Sequence, residues 1–287
     1  MFSVLKSIRK SGDAYRSNFY TIIIASILMS LPVTILVGLG SMYLFGLSSM
    51  EDGSLQDRYN SIIYDPDISE RYGQDAMEGQ LEGNVWLFLI LSLSGMLLLA
   101  YLSAGFYGVC LLSHKGKTNI SVFFTQVRQN GITMAVYFTS LLVGLSIYLV
   151  ILEFASGIAV IQLALLAAAL AAAPLLLLAS PAIVSGRSVV GAIKESIFLG
   201  KKAYLKMWGV VIFAFILQLI SVMVLFVSPI VSNFFALLFA TPLIALVQCS
   251  AYLDLLKENR GPLKRLEFLG KKASSVKKAA KKAAKRA

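Results

Sequence analysis

The sequence predicts an all-α polytopic membrane protein with six transmembrane helices. Of its 287 residues, 57% are hydrophobic and 14% are charged, a balance that a water-soluble domain of this length does not normally have. Six apolar segments each supply the roughly 20 helical residues that cross the hydrocarbon core of a bilayer. The basic residues are concentrated in alternate connections, as an even number of spans requires.

The predicted spans cover residues 20–47, 85–112, 132–152, 157–179, 208–230 and 232–255. Residues 1–256 are therefore predicted to form one membrane domain, in which residues 48–84 are a long acidic loop, and residues 257–287 to form a basic tail. The first apolar segment is too long for a cleaved signal peptide and no A-x-A-like site follows it, so we interpret it as a retained span.

The distribution of lysine and arginine predicts the orientation. Of the 26 basic residues, 24 lie in the N-terminal segment, the second and fourth connections and the tail, whereas the acidic loop has only Arg58 and Arg71. Short connections rich in Lys and Arg remain in the cytosol. We therefore expect a multi-pass protein of the plasma membrane with both termini in the cytosol.

The chain is predicted to consist of three units, each an interfacial amphipathic helix followed by a hairpin of two spans. The three amphipathic segments surround Lys6, Gln126 and Lys194. They would lie in the headgroup layer with their basic residues towards the cytosol. Because every unit starts on the cytosolic side, the repeats would be parallel.

Two matches support a repeat between the first and third units. Residues 8–11 (Ile-Arg-Lys-Ser) align with residues 193–196 (Ile-Lys-Glu-Ser) at an offset of 185, and Ala14-Tyr15 aligns with Ala203-Tyr204 at an offset of 189. The difference predicts four extra residues, about one helical turn, in the third unit.

Small residues at four-residue spacing predict close helix packing. The fourth span carries Ala164, Ala168 and Ala172, and we expect it to be central in the bundle. Its Ala173-Pro174-Leu175 also resembles Thr241-Pro242-Leu243 in the sixth span, and both prolines are expected to kink their helices.

One stretch resembles a known family. Residues 174–184 (PLLLLASPAIV) and 192–202 (AIKESIFLGKK) are similar to a pattern in the six-span membrane domain fused to some glycerophosphodiester phosphodiesterases, and in its stand-alone, uncharacterised archaeal and bacterial relatives. The likeness extends over residues 85–255 by hydropathy. Ser185-Gly186-Arg187 replace a position where that family commonly has an acidic residue. The resemblance implies a fold and, because the phosphodiesterase domain is absent, no catalytic residues.

Polar side chains within the predicted spans are few. None of the Asp, Glu, Lys, Arg or His residues lies deep in the hydrocarbon, which disfavours a proton-coupled transporter. Gln162, Gln218 and Gln248 are the most polar side chains at depth, and hydrogen bonding between spans is the usual role of such residues. Gln162 and Gln218 are also the candidates for lining a cavity.

The sequence predicts neither an enzyme nor a metal or cofactor site. It has two cysteines and one histidine, and no catalytic triad, phosphate loop or paired carboxylate motif in a cytosolic segment. In the acidic loop, residues 65–70 (Asp-Pro-Asp-Ile-Ser-Glu) resemble part of a calcium-binding loop but lack its glycine. A solvated acidic loop is the favoured interpretation.

The tail is predicted to bind anionic lipid headgroups through its charge. Nucleic acid, including ribosomal RNA, is the rival partner. The eight basic residues concerned are Lys271, Lys272, Lys277, Lys278, Lys281, Lys282, Lys285 and Arg286.

Three functions follow from these features. The first is a non-enzymatic module that organises the bilayer or supports other membrane proteins. The alternatives are a permease or channel-like transporter for a small or amphipathic solute, and a ribosome-associated membrane biogenesis factor. A polar cavity lined by Gln162 and Gln218 would indicate transport, whereas a solidly packed bundle would favour the first function.

Overall fold

The computed structural model describes residues 2–45, 81–154, 159–225 and 228–259. Within these ranges the chain is helical and contains no strand. The helices are α1 (Val4–Ser17), α2 (Phe19–Phe45), α3 (Leu81–Ser113), α4 (Ser121–Phe154), α5 (Ala159–Leu176), α6 (Ala179–Val184), α7 (Val189–Lys202), α8 (Tyr204–Leu225), α9 (Pro229–Phe235) and α10 (Thr241–Glu258), with a π-helical turn at Ala236–Ala240 between the last two.

Six helical segments are long and apolar enough to cross a membrane, which confirms the predicted fold class. They cover Phe19–Leu36, Phe88–Ser113, Ser121–Phe154, Ile161–Val184, Tyr204–Val224 and Val231–Glu258. The fourth span joins α5 to α6, and the sixth joins α9, the π turn and α10. Residues 48–80 of the acidic loop and residues 260–287 of the tail lie outside the described ranges, so the calcium-like stretch and the eight tail residues stay predictions.

One end of the bundle gathers the basic segments, and we call it the basic end. It comprises α1, the connection 114–120, α7 and the last turns of α10. The Asn18 side chain donates to the Gly116 carbonyl and accepts from the Thr118 N–H, which joins the connection 114–120 to the start of α2. Lys10 reaches Asp254, and Tyr252 reaches Glu195. The described parts of both chain ends therefore lie at the same end, as six spans require.

The first and third units begin with helices of the same length and boundaries. Both α1 and α7 have 14 residues, start after a serine (Ser3 and Ser188) and end at a residue of nearly identical conformation. Asn18 has φ −123° and ψ 24°, and Ala203 has φ −125° and ψ 29°. The offset is thus 185 throughout, and the predicted four-residue insertion is wrong. Tyr204 corresponds to Phe19, the first residue of its span.

The second unit differs, because its amphipathic segment is not a separate helix. Residues around Gln126 form the first turns of α4, which runs without a break from Ser121 to Phe154. These turns pack on α3 at two glycines. A Cβ atom at Gly105 would lie 2.6 Å from the Val127 side chain, and one at Gly108 would lie 2.4 Å from Gln126. Only glycine permits this approach.

The three units are arranged in a ring. The first helix of the first unit, α1, packs on α10 of the third unit. The first helix of the third unit, α7, packs on α5 of the second unit, and the first turns of α4 pack on α3 of the first unit. Each unit therefore covers the second span of the unit before it, and the contact of the first unit with the third closes the ring.

The second spans of the three units meet at the centre of the basic end. There α3, α6 and α10 pack against one another. Every residue from 245 to 252 on α10 is buried, so this helix is covered on all faces. The prediction that the fourth span is central is wrong for its alanine-rich part, since no described side chain of α5 before Pro174 is buried and Ala164 and Ala168 are exposed. Only the last segment of that span, α6, is central.

Two tyrosines bond to carbonyl groups in the turns that precede the prolines. Pro242 has no N–H for the carbonyl of Leu238, four residues earlier. The Tyr15 hydroxyl donates to this carbonyl at 2.5 Å, and Ser26 donates to the carbonyl of Leu237 at 2.8 Å. Tyr204 donates to the carbonyl of Ala171, three residues before Pro174, at 3.1 Å. The π turn thus exposes carbonyls that α1 and α2 use for packing.

We predict that Gly105→Ala destabilises the fold by about 1–3 kcal/mol, because the added methyl group overlaps the Val127 side chain and the Phe123 backbone. The midpoint of thermal unfolding in detergent measures the effect. Gly144→Ala is the matched control on α4, since a Cβ there meets nothing within 4 Å. An equal midpoint for the two variants would contradict the close α3–α4 contact.

Candidate functional site

Polar side chains from all three second spans meet at the centre of the bundle, and we call them the axial group. Tyr107 of α3 donates its hydroxyl proton to Gln248 Oε1 of α10 at 2.6 Å. Ser180 of α6 lies beside the same hydroxyl. Gln248 and Ser180 are each 7% exposed, whereas Tyr107 is only half-buried. The axial group has no charged member, and its hydrogen bond between Tyr107 and Gln248 joins the first and third units.

A first ionic contact ties α1 to the end of α10. Lys10 Nζ lies 2.6 Å and 2.8 Å from the two carboxylate oxygens of Asp254, 244 residues away in the sequence. His114 stands beside this pair and donates from Nε2 to the Leu246 carbonyl at 2.9 Å. Burial lowers the pKa of His114 below its ordinary value, and the neighbouring Lys10 acts in the same direction. The imidazole is therefore held in its neutral form.

A second contact ties α7 to the same part of α10. Glu195 is 6% exposed and accepts hydrogen bonds from Arg187 Nε at 2.7 Å and from the Tyr252 hydroxyl at 2.9 Å. Tyr252 also lies 2.8 Å from the Ser185 hydroxyl. A buried carboxylate requires such partners, since removing it from water is otherwise costly. At the offset of 185, Glu195 corresponds to Lys10, so equivalent positions of α1 and α7 hold α10 through charges of opposite sign.

The outer faces of α1 and α7 present the same pattern at equivalent positions. Leu5 and Val190 are 79% and 61% exposed near the helix starts, and Tyr20 and Leu205 are 80% and 84% exposed just after the helices end. The basic residues between them are exposed as well. Those at equivalent positions are Arg9 and Arg16 on α1, and Lys194 and Lys201 on α7, and Lys6 and Lys202 are exposed in addition. Each helix therefore carries exposed cations flanked by exposed apolar side chains.

The structure does not bring the two predicted cavity residues together with the axial group. Gln218 is exposed on α8, and Gln162 is half-buried on α5. Neither side chain makes a hydrogen bond within the described residues. Gln248, by contrast, joins two spans through Tyr107, as predicted for a glutamine at depth. In the described part of the chain, no group of three or more His, Cys, Asp or Glu side chains is placed to hold a metal ion.

Comparison of the chain with protein-family models, with curated proteins and with solved structures finds no match.

Sequence reasoning missed the contacts of Glu195, Asp254 and His114. Glu195 is the one acidic residue among the lysines of α7, and Asp254 is the one acidic residue of the sixth span before its last turn. An isolated acidic residue in a basic, membrane-facing segment was the available signal for a buried ion pair. No comparable signal exists for His114, because its position beside Leu246 depends on how α3 packs against α10.

We predict that the folded protein loses stability as the pH falls from 7.5 to 5.5. The unfolded imidazole has its ordinary pKa near 6.5, whereas burial lowers the pKa of the folded one, so the unfolded chain binds more protons in this range. His114 is the only histidine of the sequence, which makes the effect assignable.

The measurement is the unfolding midpoint in detergent against pH for the wild type and for His114→Gln, which retains a donor but does not titrate. The variant should show a flatter profile between pH 7.5 and 5.5. Parallel profiles for the two proteins would contradict the assignment.

Proposed function

We propose that the chain is a non-enzymatic membrane module that organises anionic lipid at the cytosolic leaflet of the plasma membrane. In this proposal α1 and α7 lie in the headgroup layer, and their basic residues gather anionic headgroups around the ring of spans. The folded core at the basic end fixes the positions of both helices, so the lipid is ordered by a rigid frame.

The observation that carries the proposal is the repeated outer face of α1 and α7. Arg9 and Lys194 correspond in the repeat, as do Arg16 and Lys201, and all four are exposed. A basic residue near an anionic membrane surface contributes about 1 kcal/mol of attraction. The exposed apolar residues beside them, such as Leu5 and Leu205, favour a position at the boundary of headgroups and acyl chains.

The packing of the basic end supports this module over an open channel or permease. The central segments of α3, α6 and α10 are buried against one another, and Gln162 and Gln218 do not share a polar space with them. A biogenesis factor would act through the tail, which lies outside the described residues. The resemblance to the phosphodiesterase-associated membrane domain stays a prediction and is compatible with a non-enzymatic role.

The proposal predicts selective contact with anionic lipid. In bilayers of phosphatidylcholine, spin-labelled phosphatidylglycerol should associate with the protein at least about two-fold more strongly than spin-labelled phosphatidylcholine, and added salt should reduce the ratio. Changing Arg9, Arg16, Lys194 and Lys201 to Gln should bring the ratio towards one.

Two control proteins separate the possible origins of selectivity. Exchanging Arg for Lys and Lys for Arg at the same four positions preserves the charge and should preserve the ratio. Changing Lys277, Lys278, Lys281 and Lys282 to Gln tests the tail alone. The proposal would be overturned if the ratio fell in the tail variant but stayed unchanged in the variant with Gln on α1 and α7.

A further inference from the structure

Gln218 places an amide on the outer surface of α8 near the middle of the membrane. It follows Trp208, an aromatic residue of the kind found at the membrane interface, by ten residues. This is about 15 Å along the helix, half of the roughly 30 Å hydrocarbon core. The Gln218 side chain is exposed and makes no hydrogen bond within the described residues. Because lipid tails offer neither donors nor acceptors, the amide requires a polar partner within the bilayer.

The bundle itself does not supply this partner, although α8 packs within it. Ser221, three residues further along, is buried, and its carbonyl accepts from the Ser232 hydroxyl of α9 at 2.7 Å. The neighbouring helix α5 meets α8 near its start, where Tyr204 donates to the Ala171 carbonyl at 3.1 Å. In the described part of the chain, the side of α8 that carries Gln218 stays uncovered. The partner therefore comes from outside the chain.

The residues on either side of Gln218 form a stripe suited to helix pairing, and we call it the α8 seam. Val211, Phe215, Gln218 and Val222 follow one another at spacings of four, three and four residues. This is the repeat by which two helices pack in a left-handed supercoil. Phe215 is 65% exposed and Val222 is 49% exposed. The seam contains no charged residue, so its burial against a second helix costs no desolvation of charge.

An identical seam satisfies the Gln218 amide. Copies of the chain share one orientation in the membrane, so a two-fold axis along the membrane normal places α8 beside α8 in parallel. Each residue near the axis then lies beside its own counterpart. An amide has both an acceptor oxygen and an NH₂ donor, so each Gln218 can donate to the other and accept from it. A carboxylate or an ammonium group at the same position would repel its copy.

We propose that the chain forms a parallel dimer in which the α8 seam packs on the α8 seam of a second copy and the two Gln218 amides bond to each other. Hydrogen bonds between polar side chains of adjacent spans stabilise the association of transmembrane helices. The interface lies within the hydrocarbon on the side of the bundle. It is separate from the anionic surface of α1 and α7.

The first test measures dimerisation of the full chain by fluorescence energy transfer between copies labelled at the C-terminus, in phosphatidylcholine bilayers at several protein-to-lipid ratios. Gln218→Leu should weaken association about ten-fold, as expected for the loss of two interhelical hydrogen bonds. Gln218→Asn retains an amide and should weaken it less. Gln162→Leu is the matched control, because it removes the same amide from α5 and should leave association unchanged.

The second test locates the interface by cysteine cross-linking under mild oxidation. Val222→Cys lies on the seam and should give a disulfide-linked dimer. Met223→Cys is the matched control at the same depth, since this residue is 63% exposed but lies about 100° further round the helix. The native Cys110 and Cys249 are buried, so the wild type serves as the blank.

Three results would overturn the proposal. The first is a wild-type protein that stays monomeric at every protein-to-lipid ratio. The second is a loss of association in Gln218→Leu no greater than that in Gln162→Leu. The third is equal cross-linking of the Val222→Cys and Met223→Cys variants.

Discussion

The burial of α10 at the centre of the bundle is the constraint on which the other contacts depend. Lipid supplies no hydrogen bonds, so a polar group on a helix covered on all faces depends on the protein for its partner, and among the described residues of α10 only the Ser250 hydroxyl is buried without one. Gln248 obtains its partner from α3 through Tyr107, and Tyr252 and Asp254 obtain theirs from α7 and α1. One central helix thus depends on the first unit, on α7 of its own unit and, through the bond between Tyr252 and Ser185 just after α6, on the second unit. At the other end of the bundle no described residue of α4 after Tyr137 is buried, nor any of α5 before Pro174.

The ring explains how the same helix-and-hairpin unit gives a closed core at one end only. Each unit covers the second span of the unit before it, and the covering is confined to the basic end because α1, α7 and the first turns of α4 lie there. The second unit has kept the packing role without a separate surface helix. In the other two units the amphipathic helix ends at Asn18 or Ala203 before the span begins. In the second unit there is no such end, and the first turns of α4 pack directly on Gly105 and Gly108 of α3.

Hydropathy predicted the six spans, and the distribution of charge predicted that both chain ends lie at the same end of the bundle. Both properties depend on the composition of whole segments and not on individual side-chain contacts. The faces that pack were less accessible to such reasoning. In lipid an apolar face has no preference for the protein interior, so packing faces must be predicted from small residues alone. That criterion was misleading for the alanines of α5, which are not central, whereas Gly105 and Gly108 do lie at a close helix contact. The Ala-Tyr match suggested an insertion that the equal lengths of α1 and α7 exclude. Gln248 was interpreted correctly. The amphipathic pattern alone places Glu195 on the charged outer face of α7, whereas the structure buries it.

The central claim is that α1 of the first unit packs on α10 of the third and closes the ring. The most direct measurement is a charge-reversal cycle at Lys10 and Asp254, read as unfolding free energy in detergent. The account predicts that Lys10→Asp and Asp254→Lys each destabilise the protein and that the double variant recovers about 1 kcal/mol, since Asp254 is largely buried and Lys10 is partly exposed. Strictly additive effects of the two substitutions would show that the residues do not meet, and would contradict the ring.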